Sequence, residues 1–304
     1  MAGSIRREGP PGPAGEPLRS VVRSTLDSPS AEIVESREEE IEYPVYLPDR
    51  RLTRFSGTAR SGGVERSWSV VRKSGAPERE RLVCAAAWLD VPGFRRARCH
   101  RVSGDELWLE DLSDRYEHRW PLEAFELAAA ALGRFNGRHL ISPPADEAWL
   151  SRDWIDKHQD LPALARQPAE ERAAQAFLRE LLDSQPQTIC HHDAAPANLF
   201  ILSDGVAAID WEGVGWGALG ADLATLVVSP MRRGDVPAER ADEVDEAAFA
   251  GYVRGLSEVG WADAATARLG YAAAAALRWP IVALGPRTSL ARFIRARLQE
   301  AQGL

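Results

Sequence analysis

Cysteine is scarce in this chain of 304 residues, which holds only Cys84, Cys99 and Cys190. The number is odd, and no two of them lie at the close spacing of a zinc site. These features exclude a disulfide framework as the basis of the fold, and they favour reduced thiols.

Long apolar runs and a net positive charge are also missing. No apolar segment approaches the ~20 residues that span a bilayer, and residues 1–7 run into glycine, proline and glutamate instead of a hydrophobic signal region. We therefore expect a soluble cytoplasmic protein without a membrane partner. The net charge of −8 disfavours nucleic acid as a partner and mildly favours a cationic or neutral small molecule. The oligomeric state cannot be read from the sequence.

Lysine is almost absent, since only Lys73 and Lys157 among the 37 basic residues are lysines. Lys73 ends residues 68–73, whose β-branched and aromatic content predicts a strand, and residues 74–77 then break it. A compact ammonium can serve a phosphate as a point charge where a planar guanidinium would not fit. The alternative is that Lys73 is an ordinary solvated strand end.

Residues 190–211, which read C-H-H-D-A-A-P-A-N-L-F-I-L-S-D-G-V-A-A-I-D-W, concentrate side chains that can bind a metal or move a proton. Asp193 precedes Asn198 by five residues on a segment that proline keeps from forming a regular helix. We predict that Asp193 lies on a loop, where its carboxylate could ligate a cation or accept a proton from a hydroxyl. The alternative interpretation is a turn aspartate, a capping asparagine and a core histidine.

The same stretch contains the clearest hairpin in the chain. Residues 199–202 and 206–209 are apolar runs, and residues 203–205 fit a three-residue loop with glycine in the left-handed position. This loop would pair Leu202 with Val206 and place Asn198 directly opposite Asp210, so that one divalent cation could touch both side chains.

The order of elements predicts an α+β fold with two main parts. Residues 1–39 are rich in Gly, Pro, Ser and Arg in their first part, and we expect them to form a flexible N-terminal arm. Strand patterns dominate residues 40–111. Helical patterns dominate residues 112–304, which include the polar stretch and its hairpin.

These residues resemble the aminoglycoside phosphotransferase family, small-molecule kinases with a two-lobed, protein-kinase-like fold. The resemblance covers roughly residues 50–290. It implies that residues 40–111 form the nucleotide-binding lobe and that residues 112–304 form the lobe with the catalytic loop and the acceptor site. His191, Asp193 and Asn198 match the family pattern H-x-D-x-x-x-x-N, Asp210 lies in an I-D-W sequence that matches the metal aspartate, and residues 220–224 read G-A-D-L-A. The resemblance implies that Asp193 is the catalytic base and that Asn198 and Asp210 hold Mg²⁺.

In the first lobe the resemblance assigns Lys73 to the α- and β-phosphates of ATP. Glu80 would orient Lys73, although Glu78 is close enough in sequence to take this role instead. Residues 107–111 resemble the hinge strand that contacts adenine. The chain departs from kinases in lacking G-x-G-x-x-G, D-F-G and A-P-E, and the last two absences favour a small-molecule acceptor over a protein.

The implied activity is ATP- and Mg²⁺-dependent transfer of the γ-phosphoryl group to a hydroxyl of a small molecule. His191 and Asp222 would brace the catalytic loop through hydrogen bonds. Two alternatives stay open: a nucleotide-binding protein without catalysis, and a metal-dependent hydrolase. The acceptor is also open, because the family includes kinases for choline, homoserine, methylthioribose and fructosamine.

Overall fold

The structure is a computed structural model that describes residues 15–41, 50–115, 119–145, 147–157, 167–285 and 288–303. The chain divides into two units: Met1–Ala87 with Ala97–Asp114, and Trp88–Arg96 with Arg115–Leu304. The units differ from the expected ranges in three places: the described residues before 40 and residues 112–114 belong to the first unit, and residues 88–96 belong to the second.

Strands occur in both units and are numbered here in chain order. They are β1 (Glu32–Ile41), β2 (Arg51–Ser61), β3 (Val64–Ser74), β4 (Phe94–Arg96), β5 (Cys99–Ser103), β6 (Glu106–Glu110), β7 (Gln187–Cys190), β8 (Leu199–Leu202), β9 (Gly205–Ala208) and β10 (Gly215–Ala218).

Helices lie mainly in the second unit. They are α1 (Glu16–Thr25), α2 (Glu78–Val83), α3 (Leu122–Ile141), α4 (Trp154–Lys157), α5 (Ala169–Ser184), α6 (Ala221–Arg233), α7 (Ala241–Glu258), α8 (Ala264–Arg278), α9 (Ile281–Leu284) and α10 (Ser289–Ala301). Within the described residues, no helix combines the length and the apolar character that a membrane span requires.

The first unit is built on one antiparallel sheet with the strand order β1-β2-β3-β6-β5. A two-residue turn joins β2 to β3, and its residues Gly62 and Gly63 have φ angles of +59° and +80°. Positive φ at both positions suits the turn type whose twist matches that of the flanking strands, which explains the pair of glycines. The strand-rich first unit and the helical second unit confirm the predicted α+β class.

The expectation of a flexible arm over residues 1–39 is wrong for its second part. Residues 16–25 form α1, residues 32–41 form β1, and residues 1–14 lie outside the described part of the chain. Leu18, Val21 and Val22 share one face of α1 and pack in a core that includes Trp68 of β3. Their spacing of three and four residues makes a short amphipathic helix. The glycine and proline before residue 16 obscured this signal.

The second unit is organised around the close crossing of α3 and α7. A Cβ atom built on Gly255 would lie 2.0 Å from the Ala130 carbonyl oxygen, and one on Gly133 would lie 2.2 Å from the Tyr252 carbonyl oxygen. These distances are far below van der Waals contact, so only glycine allows the two backbones to approach this closely. The crossing therefore fixes the position of α3 against α7.

The hairpin of β8 and β9 exists, but its predicted register is wrong. Leu202 pairs with Gly205, which leaves a two-residue turn and shifts every pair by one position. The reason is a third strand: β4 runs parallel to β9, and the Val206 amide donates to the Gly93 carbonyl at 3.0 Å. Gly205 has φ +147°, and a Cβ there would lie 2.5 Å from the same carbonyl oxygen. Glycine therefore serves the strand contact and not the loop.

Candidate active site

The predicted catalytic loop, residues 191–198, follows β7 and is held by one buried carboxylate. Asp222, in the first turn of α6, accepts the His192 amide on Oδ1 at 2.7 Å and the His191 amide on Oδ2 at 3.0 Å. Its side chain is completely buried, and the positive end of the α6 dipole favours a negative charge at this position. The prediction that Asp222 braces the loop is confirmed.

His191 connects the loop to the residues that precede Asp210. Its Nδ1 accepts the Asp193 amide at 3.2 Å, so the ring proton lies on Nε2, which donates to the Ile209 carbonyl at 3.0 Å. The ring also packs against Trp211 with 4.4 Å between ring centroids. The predicted bracing role of His191 is thereby confirmed.

Asn136 on α3 completes the support, and sequence reasoning gave it no role. Its Nδ2 donates to the Ile189 carbonyl at 2.8 Å and to Asp222 Oδ2 at 3.0 Å, while its Oδ1 accepts the Tyr252 hydroxyl at 2.8 Å. Asn136 is fully buried. An asparagine in the apolar interior of a helix was the available signal, because such a side chain needs partners.

The Asp193 carboxylate is held on both oxygens. Oδ2 accepts Asn198 Nδ2 at 2.9 Å, and Oδ1 accepts an Arg278 guanidinium nitrogen at 3.3 Å. The Asp193 side chain is nevertheless 33% exposed, which leaves room for a reactant beside it. The loop position predicted for Asp193 is the one observed.

Arg278, the last residue of α8, is the second residue that sequence reasoning missed. Its other guanidinium nitrogen donates to the His192 carbonyl and to Thr225 Oγ1, the latter at 2.9 Å. Burial lowers the pKa of Arg278 from its usual value, and Asp193 opposes that shift. The available signal was an arginine that follows a long alanine run, where a charge needs a specific partner.

Asn198 and Asp210 are neighbours, although they do not oppose each other as predicted. The Ile209 amide donates to the Asn198 carbonyl at 3.0 Å, so Asp210 comes one residue after the paired position. Asp210 adopts a left-handed conformation with φ 60° and ψ 57°. Because the Asn198 amide nitrogen donates to Asp193, its Oδ1 is the atom available to a cation. An amide oxygen and a carboxylate are a donor set that fits Mg²⁺.

A second cluster, Cys190, His192 and Asp222, has ligand atoms within 4.8 Å of one another. Its chemistry does not suit a metal. Asp222 already accepts three donors, and His192 Nε2 lies 3.1 Å from the Trp216 carbonyl. Burial raises the pKa of the Cys190 thiol well above its usual value, which opposes the thiolate that metals bind. We therefore interpret the cluster as part of the loop support.

In the first unit, Lys73 of β3 and Glu80 of α2 form a buried ion pair. The Lys73 ammonium lies 2.8 Å from Glu80 Oε1 and 2.7 Å from Oε2, and the two side chains are 4% and 5% exposed. Of the two glutamates considered, Glu80 is thus the one that pairs with Lys73. Glu78 lies two positions earlier on the same helix.

Comparison with known proteins agrees with this geometry. The family model described as the phosphotransferase enzyme family matches residues 93–265, more than half of the chain. No curated protein matches the sequence. Amicoumacin kinase hAmiN, solved with AMP-PNP, Ca²⁺ and Ami, is similar in structure, with 12% identity, coverage of 85% of this chain and 87% of that chain, and a TM-score of 0.53.

A choline kinase from Cryptosporidium parvum Iowa II is similar at 10% identity, with 95% of this chain and 94% of that chain covered and a TM-score of 0.50. At these identities the structures establish the fold alone, and they confirm the expected protein-kinase-like fold. The matched residues include the catalytic loop, the hairpin and Asp222. The chain therefore belongs to the APH phosphotransferase enzyme family.

Proposed function

We propose that this phosphotransferase moves the γ-phosphoryl group of ATP to a hydroxyl of a small molecule and requires Mg²⁺. The observation that carries the proposal is the Asp193 carboxylate, which Asn198 and Arg278 hold in a fixed but partly exposed position. Phosphoryl transfer needs positioning and charge neutralisation more than covalent participation by the protein, and a fixed carboxylate serves the first need.

Asp193 would accept the hydrogen bond of the acceptor hydroxyl and take its proton as the acceptor oxygen bonds to the γ-phosphorus, while the bond from that phosphorus to the bridging oxygen breaks and ADP leaves. A carboxylate with both oxygens anchored cannot rotate away from the acceptor. Each carboxylate oxygen has two lone-pair directions, so one hydrogen bond on each still leaves capacity for the acceptor. The 33% exposure of the side chain is consistent with a reactant that arrives from solvent.

Asn198 and Asp210 would hold the cation, with Asp210 as the stronger ligand because it carries the charge. A bound Mg²⁺ supplies neutralisation of the phosphate oxygens during transfer. The hairpin would keep these two residues in fixed positions, since β8 and β9 pair along their length and the Ile209 amide donates a hydrogen bond to the Asn198 carbonyl. The complex of amicoumacin kinase with AMP-PNP and Ca²⁺ supports the assignment of a nucleotide and a divalent cation.

Lys73 would contact the α- and β-phosphates. Burial of an ammonium costs several kcal/mol unless it is paired, and Glu80 supplies that pairing. The ion pair also fixes the direction of the flexible lysine side chain before the nucleotide binds. A structural ion pair with no ligand is the competing interpretation, and the Lys73 variant discussed below separates the two.

The test is an acceptor screen with the purified 304-residue chain, Mg²⁺ and ATP that carries ¹⁸O on the γ-phosphate. Hydroxyl and amine metabolites are supplied one at a time, ADP release is measured, and the labelled product is examined by ³¹P NMR. We expect ADP release that depends on one chemical class of acceptor and yields a phosphate monoester. Release of inorganic phosphate at the same rate without acceptor would favour a hydrolase. ATP binding without turnover for every acceptor would favour a non-catalytic protein.

A further inference from the structure

The geometry points to Arg278 as a positioning residue for phosphoryl transfer, which holds the Asp193 carboxylate and the backbone of the catalytic loop in one arrangement from the end of α8. This inference rests on the proposed function. It assigns to Arg278, which lies 85 residues after Asp193 in sequence, a direct part in the orientation of the base.

The two guanidinium nitrogens of Arg278 have different partners. One donates to the His192 carbonyl and to Thr225 Oγ1, both of which are buried, and the other donates to the partly exposed Asp193 carboxylate at 3.3 Å. The bonds to His192 and Thr225 alone would be enough to hold the loop against the helices. The second bond reaches out of the core to Asp193, the carboxylate that we propose as the base.

Burial of the Arg278 guanidinium costs free energy, so its charge needs an anionic partner at a fixed position. The Arg278 side chain is 13% exposed, and its guanidinium carbon lies 5.1 Å from the centroid of the Trp279 ring. A buried cation that lost its anionic partner would be strongly unfavourable, so Arg278 and Asp193 hold each other in place. The planar guanidinium reaches acceptors in two directions at once, whereas a lysine ammonium is a single point charge on a flexible chain.

The test compares Arg278→Lys and Arg278→Ala with a matched control, Thr225→Val. The control removes the Thr225 hydroxyl, which accepts from the same guanidinium and donates to the His192 carbonyl, but it leaves the contact between Arg278 and Asp193 in place. For each protein the experiment measures kcat, the acceptor KM, the Kd for ATP and the circular dichroism spectrum. Arg278→Ala is measured again with methylguanidinium chloride at a concentration that does not denature the wild type.

We expect Arg278→Ala to lower kcat about 100-fold or more, because small displacements of a reacting group have effects of this size, with the Kd for ATP within about twofold of wild type. Methylguanidinium should restore a large part of the loss in Arg278→Ala but none in Asp193→Ala. Arg278→Lys should lose at least about tenfold in kcat while it stays folded. Thr225→Val should lose less kcat than either variant, because it keeps the contact between Arg278 and the Asp193 carboxylate.

The inference would be overturned if Arg278→Lys or Arg278→Ala kept kcat near that of wild type. It would also be overturned if Thr225→Val lost as much as they did, or if kcat and ATP affinity fell in parallel without rescue. Should Arg278→Ala fail to fold, Arg278→Lys and Thr225→Val still give the comparison. A wild-type chain that is inactive on every acceptor would instead overturn the proposed function, and with it this inference, so the two failures are distinguishable.

Discussion

Asn136→Leu offers the sharpest test of the support beneath the catalytic loop. The replacement has nearly the same size, so it leaves no large cavity. It removes three hydrogen bonds. The Ile189 carbonyl, the Asp222 carboxylate and the Tyr252 hydroxyl each lose their bond to the Asn136 side chain. All of these groups lie in the core, where water cannot replace the lost bond.

The expected loss in the free energy of unfolding follows from these three hydrogen bonds. A buried neutral group left unsatisfied costs about 1–3 kcal/mol, and a bond to a charged group contributes about 1.5–3 kcal/mol. Because the three share one network and are not additive, we expect a total of about 3–5 kcal/mol. With a urea slope of about 2 kcal/mol per molar, the midpoint should fall by roughly 2 M.

A urea titration monitored by circular dichroism at the helical band reports mainly on the helix-rich second unit. The matched control is Tyr252→Phe, which removes a hydroxyl that donates to Asn136 Oδ1 and accepts the Gly220 amide at 3.0 Å. We expect this control to lose about 1–2 kcal/mol, since no charged partner is involved. The reasoning is refuted if Asn136→Leu costs less than about 1 kcal/mol or no more than Tyr252→Phe.

Three further predictions concern the helix crossing, the buried lysine and the metal ligands. Gly255→Ala should destabilise the protein by about 1–3 kcal/mol in the same titration, because its new methyl group meets backbone, whereas Gly137→Ala meets movable side-chain ends and should cost clearly less. Equal losses would contradict this account of the crossing. Lys73→Arg should weaken ATP binding measured by calorimetry, because the larger planar group cannot replace a buried ammonium in the pair with its glutamate; unchanged binding would make Lys73 purely structural. Asp210→Asn should abolish Mg²⁺-dependent ATP binding and turnover, whereas Asn198→Asp should only shift the metal dependence; comparable losses in a metal titration would argue against unequal ligand roles.

The β8–β9 hairpin shows where sequence reasoning succeeds and where it stops. Two apolar runs around a polar turn predicted both strands, because local hydrophobic pattern and turn chemistry are properties of neighbouring residues. The register was missed by one position. The register depends on the contact with Gly93, which lies more than a hundred residues earlier in the chain. The sequence around Gly205 does not indicate that contact.

The candidate site divides in the same way. Asp193, Asn198 and Asp210 could be proposed as site residues from the sequence because they lie within one short stretch whose spacing resembles a family pattern. Asn136 and Arg278 were missed because their partners lie 53 to 116 residues away, and spacing at that range carries no geometric information. The choice between Glu78 and Glu80 also needed three dimensions, because two residues turn a helix by about 200° and the start of α2 decides which one faces Lys73.

The most direct test of the central claim is the turnover of Asp193→Asn with saturating ATP and Mg²⁺ and the acceptor found in the screen. The amide keeps the size of the side chain and can still accept a hydrogen bond, but it cannot take a proton. The account predicts that kcat falls by at least about 100-fold while the Kd for ATP, measured on the same sample, stays within about twofold. Turnover within about tenfold of wild type would contradict the assignment of Asp193 as the base.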